Sequence, residues 1–361
     1  MGKKATLLYF RFITILFTLA VAVFTILVGV KAHNSPYESF FWSFFGLGMM
    51  PILLFNVLLM LYWIIRLKIW FIIPLVAIGL NYKYIEAKYQ FSNKEAHTIT
   101  ANDKLITIAS FNVESFHGYP SVYSLGEITE LMKEQQTDII CMQEVATSTT
   151  FTLDSISAMF KEYPFSYIDN RVNGLSLAIY SKYPLVSSAN FPFYSTKNGA
   201  IWANINVNDN IIKVINCHLQ TTNFNQTKSL LKNITLAGFY ESKKEAVRDI
   251  YDKMSENARM RATQTDIICR NIDSTKHSVI LCGDFNDTPT SYTYYQITER
   301  LQDGFISAGS GFEYTFRYLH RLFRIDYIFH SKDITGIKYT TPSFEFSDHN
   351  PVFMRVAIKK G

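Results

Sequence analysis

Residues 279–289 read VILCGDFNDTP, and the way this stretch ends constrains the whole architecture. Val279 to Cys282 fit a buried strand, β-branched and apolar without a break. The residues after them do not belong in a core: Asp284, Asn286 and Asp287 within four positions. Charged groups seldom stay buried unless they are paired or bound to a metal. A strand that runs into such groups therefore delivers them to one edge of a sheet. Taken singly, an Asp or Asn after a strand is a turn residue. Recurrence of the same ending along the chain gives the pattern its weight.

On either side of this stretch, apolar runs predict strands at Leu105–Val113, Asp138–Gln143, Leu175–Ser181, Ala200–Val207, Ile211–His218, Ser278–Gly283, Ile325–His330 and Pro351–Ile358. Several of them border on a polar group. These are Asn112 in SFNVES, Glu144 in DIICMQEV, His218 in INCHLQ, Asp326 in RIDYIF, and Asp348 with His349 in SDHNPV. Helical periodicity covers Ser121–Glu134, much of 229–272 and Ser291–Arg300. Strands with interspersed helices over residues 104–361 predict an α/β sandwich.

The first 85 residues are of another kind. Leu7–Val30 holds one charge, Arg11, and Phe40–Ile65 holds none. Each is long enough to cross a hydrocarbon core of about 30 Å at about 1.5 Å per residue. Ile69–Ile85 is shorter and carries Pro74, Gly79 and Lys83. A cleaved signal peptide does not fit, because the first apolar run is too long and two more follow it. Residues 1–85 are thus expected to be a membrane anchor of two to three transmembrane helices, and the polar stretch 86–103 a tether. Lys3, Lys4 and Arg11 at one end, with Arg66 and Lys68 in the second turn, mark the cytoplasmic side. Three crossings put the C-terminal domain outside the cytoplasm, as part of a multi-pass protein of the cytoplasmic or plasma membrane. A re-entrant third segment would put it inside.

The net charge of +5 is unevenly held. Eight cations against two anions give +6 before residue 93 and leave about −1 for the rest. The soluble part thus lacks the bulk basic footprint of a phosphate-gripping nucleic-acid binder. Cys141, Cys217, Cys269 and Cys282 show no C-x-x-C spacing, and three of them lie in apolar runs, as buried thiols do.

The ordered set SFNVES, DIICMQEV, INCHLQ, LCGDFNDTP, RIDYIF and SDHNPV resembles the motifs of the endonuclease/exonuclease/phosphatase superfamily. It covers residues 105–357, and GDFND followed by SDHNP is its most specific part. The resemblance implies a four-layer α/β sandwich, two mixed β-sheets flanked by helices. It implies a metal-dependent phosphoric ester hydrolase using Mg²⁺ or Mn²⁺, cations that favour hard oxygen ligands. Glu144 matches the principal metal ligand, Asn112 the amide beside it, and Asp348 a further contributor. Asp284 matches the group that orients or deprotonates water, and Asn286 a donor to the phosphate. His218 and His349 match the flanking imidazoles, and Asp326 the partner of His349. Asp287 reads as a turn or helix-cap residue, Arg261 and Gln264 as structural, and Tyr180 as packing.

The expected function is a membrane-anchored phosphodiesterase acting on a lipid head group or another membrane-proximal phosphoester. A nuclease cleaving DNA or RNA is the runner-up and a phosphomonoesterase the third. A non-catalytic membrane binding protein on the same scaffold is the alternative of another class, against which the intact motif residues speak. Oligomeric state and the substrate itself are left open by the residues.

Overall fold

The apolar run Leu7–Val30 lies within one unbroken helix, α1 (Lys3–Lys31), in the computed structural model. The structure describes residues 3–91, 103–117, 120–148, 151–169, 176–193, 196, 198–222 and 240–359. The chain divides into two compact units, Met1–Ala87 with Thr288–Tyr295, and Lys88–Asp287 with Gln296–Gly361.

In the first unit, the stretch expected as a second uncharged span is a bent pair. α2 (Phe40–Leu47) and α3 (Met49–Ile65) meet at Gly48 with a bend of 68°. Gly48 leaves the helical region (φ −92°, ψ 15°), and glycine is a usual cause of so sharp a kink. Pro51 falls in the first turn of α3, where its missing N–H breaks no helical bond. The third stretch is also divided: a 3₁₀ turn Ile69–Phe71 leads into α4 (Ile72–Leu80), and Ile69–Leu80 meets α5 (Tyr82–Lys88) at 61°. By length and apolarity one helix, α1, suits a membrane crossing, and up to three crossings result if each bent pair counts as one. Asn56 Nδ2 donates to Thr25 Oγ1 (2.7 Å) and Trp63 Nε1 to Thr18 Oγ1 (2.9 Å). Such side-chain bonds join apolar helices where packing alone discriminates poorly.

The first residues of the expected tether carry regular structure. Residues 86–88 finish α5, and Tyr89–Gln90 form β1, paired antiparallel with β11 (Gly311–Phe312). Their polar composition conceals burial: Lys88 Nζ donates to the carbonyls of Glu313 (2.5 Å) and Leu322 (3.1 Å). Residues 92–102 of the expected tether lie outside the described residues.

The second unit holds two six-stranded sheets. One runs β13 (Ile334–Thr340), β14 (Val352–Ile358), β2 (Lys104–Asn112), β3 (Ile139–Val145), β5 (Ser176–Ser181), β4 (Phe165–Ile168). The other runs β10 (Gln302–Asp303), β12 (Asp326–His330), β9 (Ser278–Asp284), β8 (Asn210–His218), β7 (Gly199–Val207), β6 (Leu185–Asn190). Each sheet is mixed, with β2–β3 parallel in the first and β8–β9 parallel in the second. One apolar layer lies between the sheets. It takes Ile108, Cys141 and Met354 from one, and Ile201, Ala203, Ile205, Val214, Ile280 and Ile328 from the other.

A second layer packs Phe111, Ile140 and Met142, on the far face of the first sheet, against α6 (Val122–Glu134) and α7 (Leu153–Met159). α8 (Tyr240–Ser274) buries Ile250, Met254, Ala258 and Ala262, a helical i, i+4 stripe. Lys213 Nζ and the amide of Gln220 donate to its Asn271 and Gln264. The four cysteines are free and buried. Strands β4, β6 and β13, and the two-residue β1, β10 and β11, have no counterpart among the strands expected from sequence. Leu175 and residues 229–239, where a strand start and a helix were expected, lie outside the described residues.

Candidate active site

Strand register brings the polar endings together. β8 and β9 run parallel with His218 opposite Asp284, and β12 runs antiparallel to β9 with Asp326 opposite the same Asp284. Three consecutive strands of one sheet therefore place His218, Asp284 and Asp326 side by side. From the other sheet come Asn112, last residue of β2, Glu144 near the end of β3, and Asp348–His349 just before β14.

Asp284 is the hub. Asn112 Nδ2 donates to its Oδ2 (3.0 Å) and to Glu144 Oε1 (3.2 Å). Asn286 donates to it through its backbone N–H (2.8 Å) and its Nδ2 (3.2 Å). His218 Nε2 lies 3.5 Å from Glu144 Oε1 and 3.6 Å from Asp284 Oδ2. His349 Nε2 lies 3.8 Å from Asp284 Oδ2 and 3.7 Å from Asp348 Oδ1. Its Nδ1 faces both oxygens of Asp326, at 2.9 and 3.1 Å. All the residues expected at the site thus fall in one connected group. Burial and Asp326 hold the Asp284 carboxyl above its ordinary range, against the pull of His349 and His218. Burial alone would push His349 down, but Asp326, Asp284 and Asp348 hold it well above the usual imidazole value. That favours an imidazolium at neutral pH.

The backbone here is unusual. Glu144 (φ 57°), Asn286 (φ 51°) and Glu114 (φ 46°) are non-glycine residues in the left-handed region. Such conformations cost of order 1–3 kcal/mol each and persist where surrounding structure imposes them. Gly283, between β9's apolar run and Asp284, has φ 143°, and a Cβ there would overlap the Cys217 carbonyl oxygen.

Several contributors escaped the sequence reading. Glu114 accepts from the Asp348 amide (2.8 Å) and donates its own amide to Asn112 Oδ1 (3.0 Å). Its signal was a second polar group two residues past Asn112 in SFNVES. Ser347 Oγ donates to the Asn112 carbonyl (2.7 Å) and accepts from the His349 amide (3.0 Å). Thr315 Oγ1 accepts from the amides of Ile325 and Asp326 (3.0 Å each). Asp287, expected in a turn or cap, has its carboxylate 3.1 Å from Arg261 Nε. Arg261 also donates to the Gln220 carbonyl (2.8 Å) and Gln264 accepts the Gln220 amide (2.8 Å), so both hold the chain just after His218. Tyr180 is buried, stacked on Phe160 at 4.9 Å.

The donor set suits a hard divalent cation. Burial pushes the Asp348 carboxyl up to about 6; His349 pulls it back, and the carboxylates of Glu114, Glu144 and Asp284 raise it again. Carboxylates crowded in this way are what such a cation neutralises. Asp284, Asp326 and His349 also bring ligand atoms within 4.8 Å of one another. There, however, both Asp326 oxygens already face the His349 ring, which fits a carboxylate–imidazolium pair better than a metal cage.

Comparison with known proteins bears on the family and the fold. A family model described as Endonuclease/Exonuclease/phosphatase family matches residues 109–349. A second, described as a domain of unknown function, matches residues 10–88. No curated protein matches the chain. Among solved structures, an endonuclease/exonuclease/phosphatase from Bacteroides vulgatus is 19% identical, covering 70% of this chain and 98% of its own, with a TM-score of 0.51. The human Nocturnin catalytic domain with bound sulfate anion is 18% identical, covering 72% and 99%, also at 0.51. D. rerio TDP2 complexed with single strand DNA product is 12% identical, covering 70% and 99%, again at 0.51. These likenesses are of fold.

Proposed function

The chain belongs to the endonuclease/exonuclease/phosphatase family, and from that premise we propose that it is a membrane-anchored phosphodiesterase dependent on Mg²⁺ or Mn²⁺. The observation that carries the reading is the convergence of Asn112, Asn286, His218 and His349 on the one buried carboxylate of Asp284.

Glu144, Asn112 and Asp348 would hold the cation, with Glu114 beside them. Bound there, it supplies Lewis-acid neutralisation of a phosphoryl oxygen. The chain's own residues do the rest. Asp284, its carboxyl raised by burial and Asp326, orients a water and takes its proton as the water oxygen bonds to phosphorus and the ester oxygen leaves. Asn286 Nδ2, which bonds to the Leu219 carbonyl (3.1 Å) and to Asp284 (3.2 Å), would give up the longer bond to donate to the phosphate. His218 and His349 stabilise the charge that builds on the phosphoryl group, and Asp326 keeps His349 in its cationic form and fixes its ring.

α1 and the two bent pairs, each taken as one crossing, form the anchor. Lys3, Lys4, Arg11, Arg66 and Lys68 at cytoplasmic ends would then set the catalytic unit outside the cytoplasm. Proteolysis of intact against permeabilised cells tests the orientation.

The test of activity uses the full chain in detergent with bis(p-nitrophenyl) phosphate and Mg²⁺. EDTA should abolish turnover and Mg²⁺ or Mn²⁺ restore it. Glu144→Gln, Asp284→Asn and His349→Ala should each lower kcat by about 10²-fold or more while leaving the protein folded. Full activity in all three would refute the assignment. DNA and RNA belong in the same panel, since one fold neighbour is described with a single strand DNA product. Turnover of nucleic acid alone would favour the nuclease reading.

A further inference from the structure

The segment that continues from β11 has two unlike faces. Glu313 and Thr315 point inward and are buried, whereas Phe312 is 39% exposed. Tyr89, its partner across β1–β11, is also 39% exposed, and Phe91, at 89%, packs on Tyr89 at 4.8 Å between ring centres. The rings of Phe312 and Tyr314 lie 6.5 Å apart, and the Arg321 guanidinium sits 5.8 Å over Tyr314. Beyond them Tyr318 (54% exposed) and Leu319 (40%) lead into a turn in which Leu319, His320 and Arg321 are all left-handed. Within residues 314–325, which hold no carboxylate, the exposed cations are His320 and Arg321; Arg324 is buried against Asp303, and Arg317 donates to the carbonyls of Phe344 and Ser347. This surface runs into the active site: Tyr318 packs on Phe316 (5.7 Å), whose ring centre is 5.2 Å from that of His349.

We propose that this aromatic and cationic face seats the catalytic unit on anionic phospholipid headgroups, and that the substrate is a phospholipid phosphodiester in that surface. The substrate half rests on the phosphodiesterase reading above; the docking half does not. Tyr, Phe and Leu with an accompanying cation is the composition that settles at the boundary between headgroups and acyl chains. Exposed His320 and Arg321 complement anionic headgroups, and the chain enters the face at Tyr89, directly after α5 ends at Lys88. Single-stranded nucleic acid also stacks on aromatic rings. It needs cations that track its backbone as well, and residues 93–361 carry a net charge of about −1.

The experiment uses the full chain in nanodiscs of phosphatidylcholine and phosphatidylglycerol. Leu319→Cys, and Val186→Cys as a control on β6 that is 57% exposed, are labelled with an environment-sensitive fluorophore; the native cysteines are buried. A nitroxide on the lipid headgroup should quench the label at 319 and spare the one at 186. The triple variant Leu319→Ser, His320→Ser, Arg321→Glu should lose about tenfold or more of its rate on phosphatidylglycerol while its rate on bis(p-nitrophenyl) phosphate is unchanged. Equal quenching at both positions overturns the docking face. Equal lipid hydrolysis by wild type and triple variant overturns the substrate assignment, as does a loss confined to an oligonucleotide substrate. If the wild type cleaves neither diester, the phosphodiesterase reading fails, and the quenching still reports whether the face meets lipid.

Discussion

Glu313 is buried, with Thr341 Oγ1 donating to its Oε1 at 2.5 Å. Burial pushes its carboxyl up from 4.5 to about 7, against the pull of Arg324. Between those values the folded chain holds a proton that the unfolded chain has released. Stability from this group is therefore full below about 4.5 and falls as pH rises through 7, by about 3 kcal/mol in all. Glu313→Gln has no proton to lose. Thermal unfolding of the full chain in detergent should show wild type losing stability relative to the variant between pH 5 and 8, and parallel curves would contradict this. Among single residues, the sequence was most legible where a strand stopped, as at Asn112, His218 and Asp284. It was least legible for Asp287, whose partner Arg261 is 26 residues away, and for the backbone of Glu114, whose polar side chain shows in SFNVES while its left-handed conformation does not.

Among elements, β9 depends on Gly283. Gly283→Ala would drive a Cβ into the Cys217 carbonyl and force apart the two strands that set His218 opposite Asp284. It should cost at least about 3 kcal/mol in denaturant unfolding, or prevent folding. Gly126→Ala, on α6 where a Cβ meets nothing within 4 Å, should instead stabilise by up to about 1 kcal/mol; similar effects at the two sites would refute the steric argument. Buried strands such as β2, β3, β8 and β9 were readable because both faces are apolar. β4 and β6 are edge strands with much exposed surface, so their apolar signal is thin. β13 carries Gly336 at a register shift, which interrupts alternation. Hydropathy likewise registers Phe40–Ile65 as apolar throughout and is blind to a bend, for which Gly48 was the local sign.

For the whole chain, the uneven charge and apolarity predict how it behaves in a cell. Full-length protein should sediment with membranes, resist alkaline carbonate extraction and dissolve in detergent; release by carbonate would argue against an integral anchor. The change of composition after the last apolar run falls near Ala87, where the first stretch of one compact unit stops, but gives no sign that Thr288–Tyr295 belongs with that unit. The proposed docking face was not legible, because Tyr89 and Phe312 meet only through tertiary pairing.

The candidate site takes Asn112, Glu144 and His349 from one sheet and His218, Asp284 and Asp326 from the other. Neither sheet carries a working half. A nascent chain or proteolytic fragment holding one sheet would be inert, and hydrolytic power would arrive all at once when the two close on each other. Under the proposed activity on a phosphoester of the bilayer, assembly itself would then serve as the safety catch.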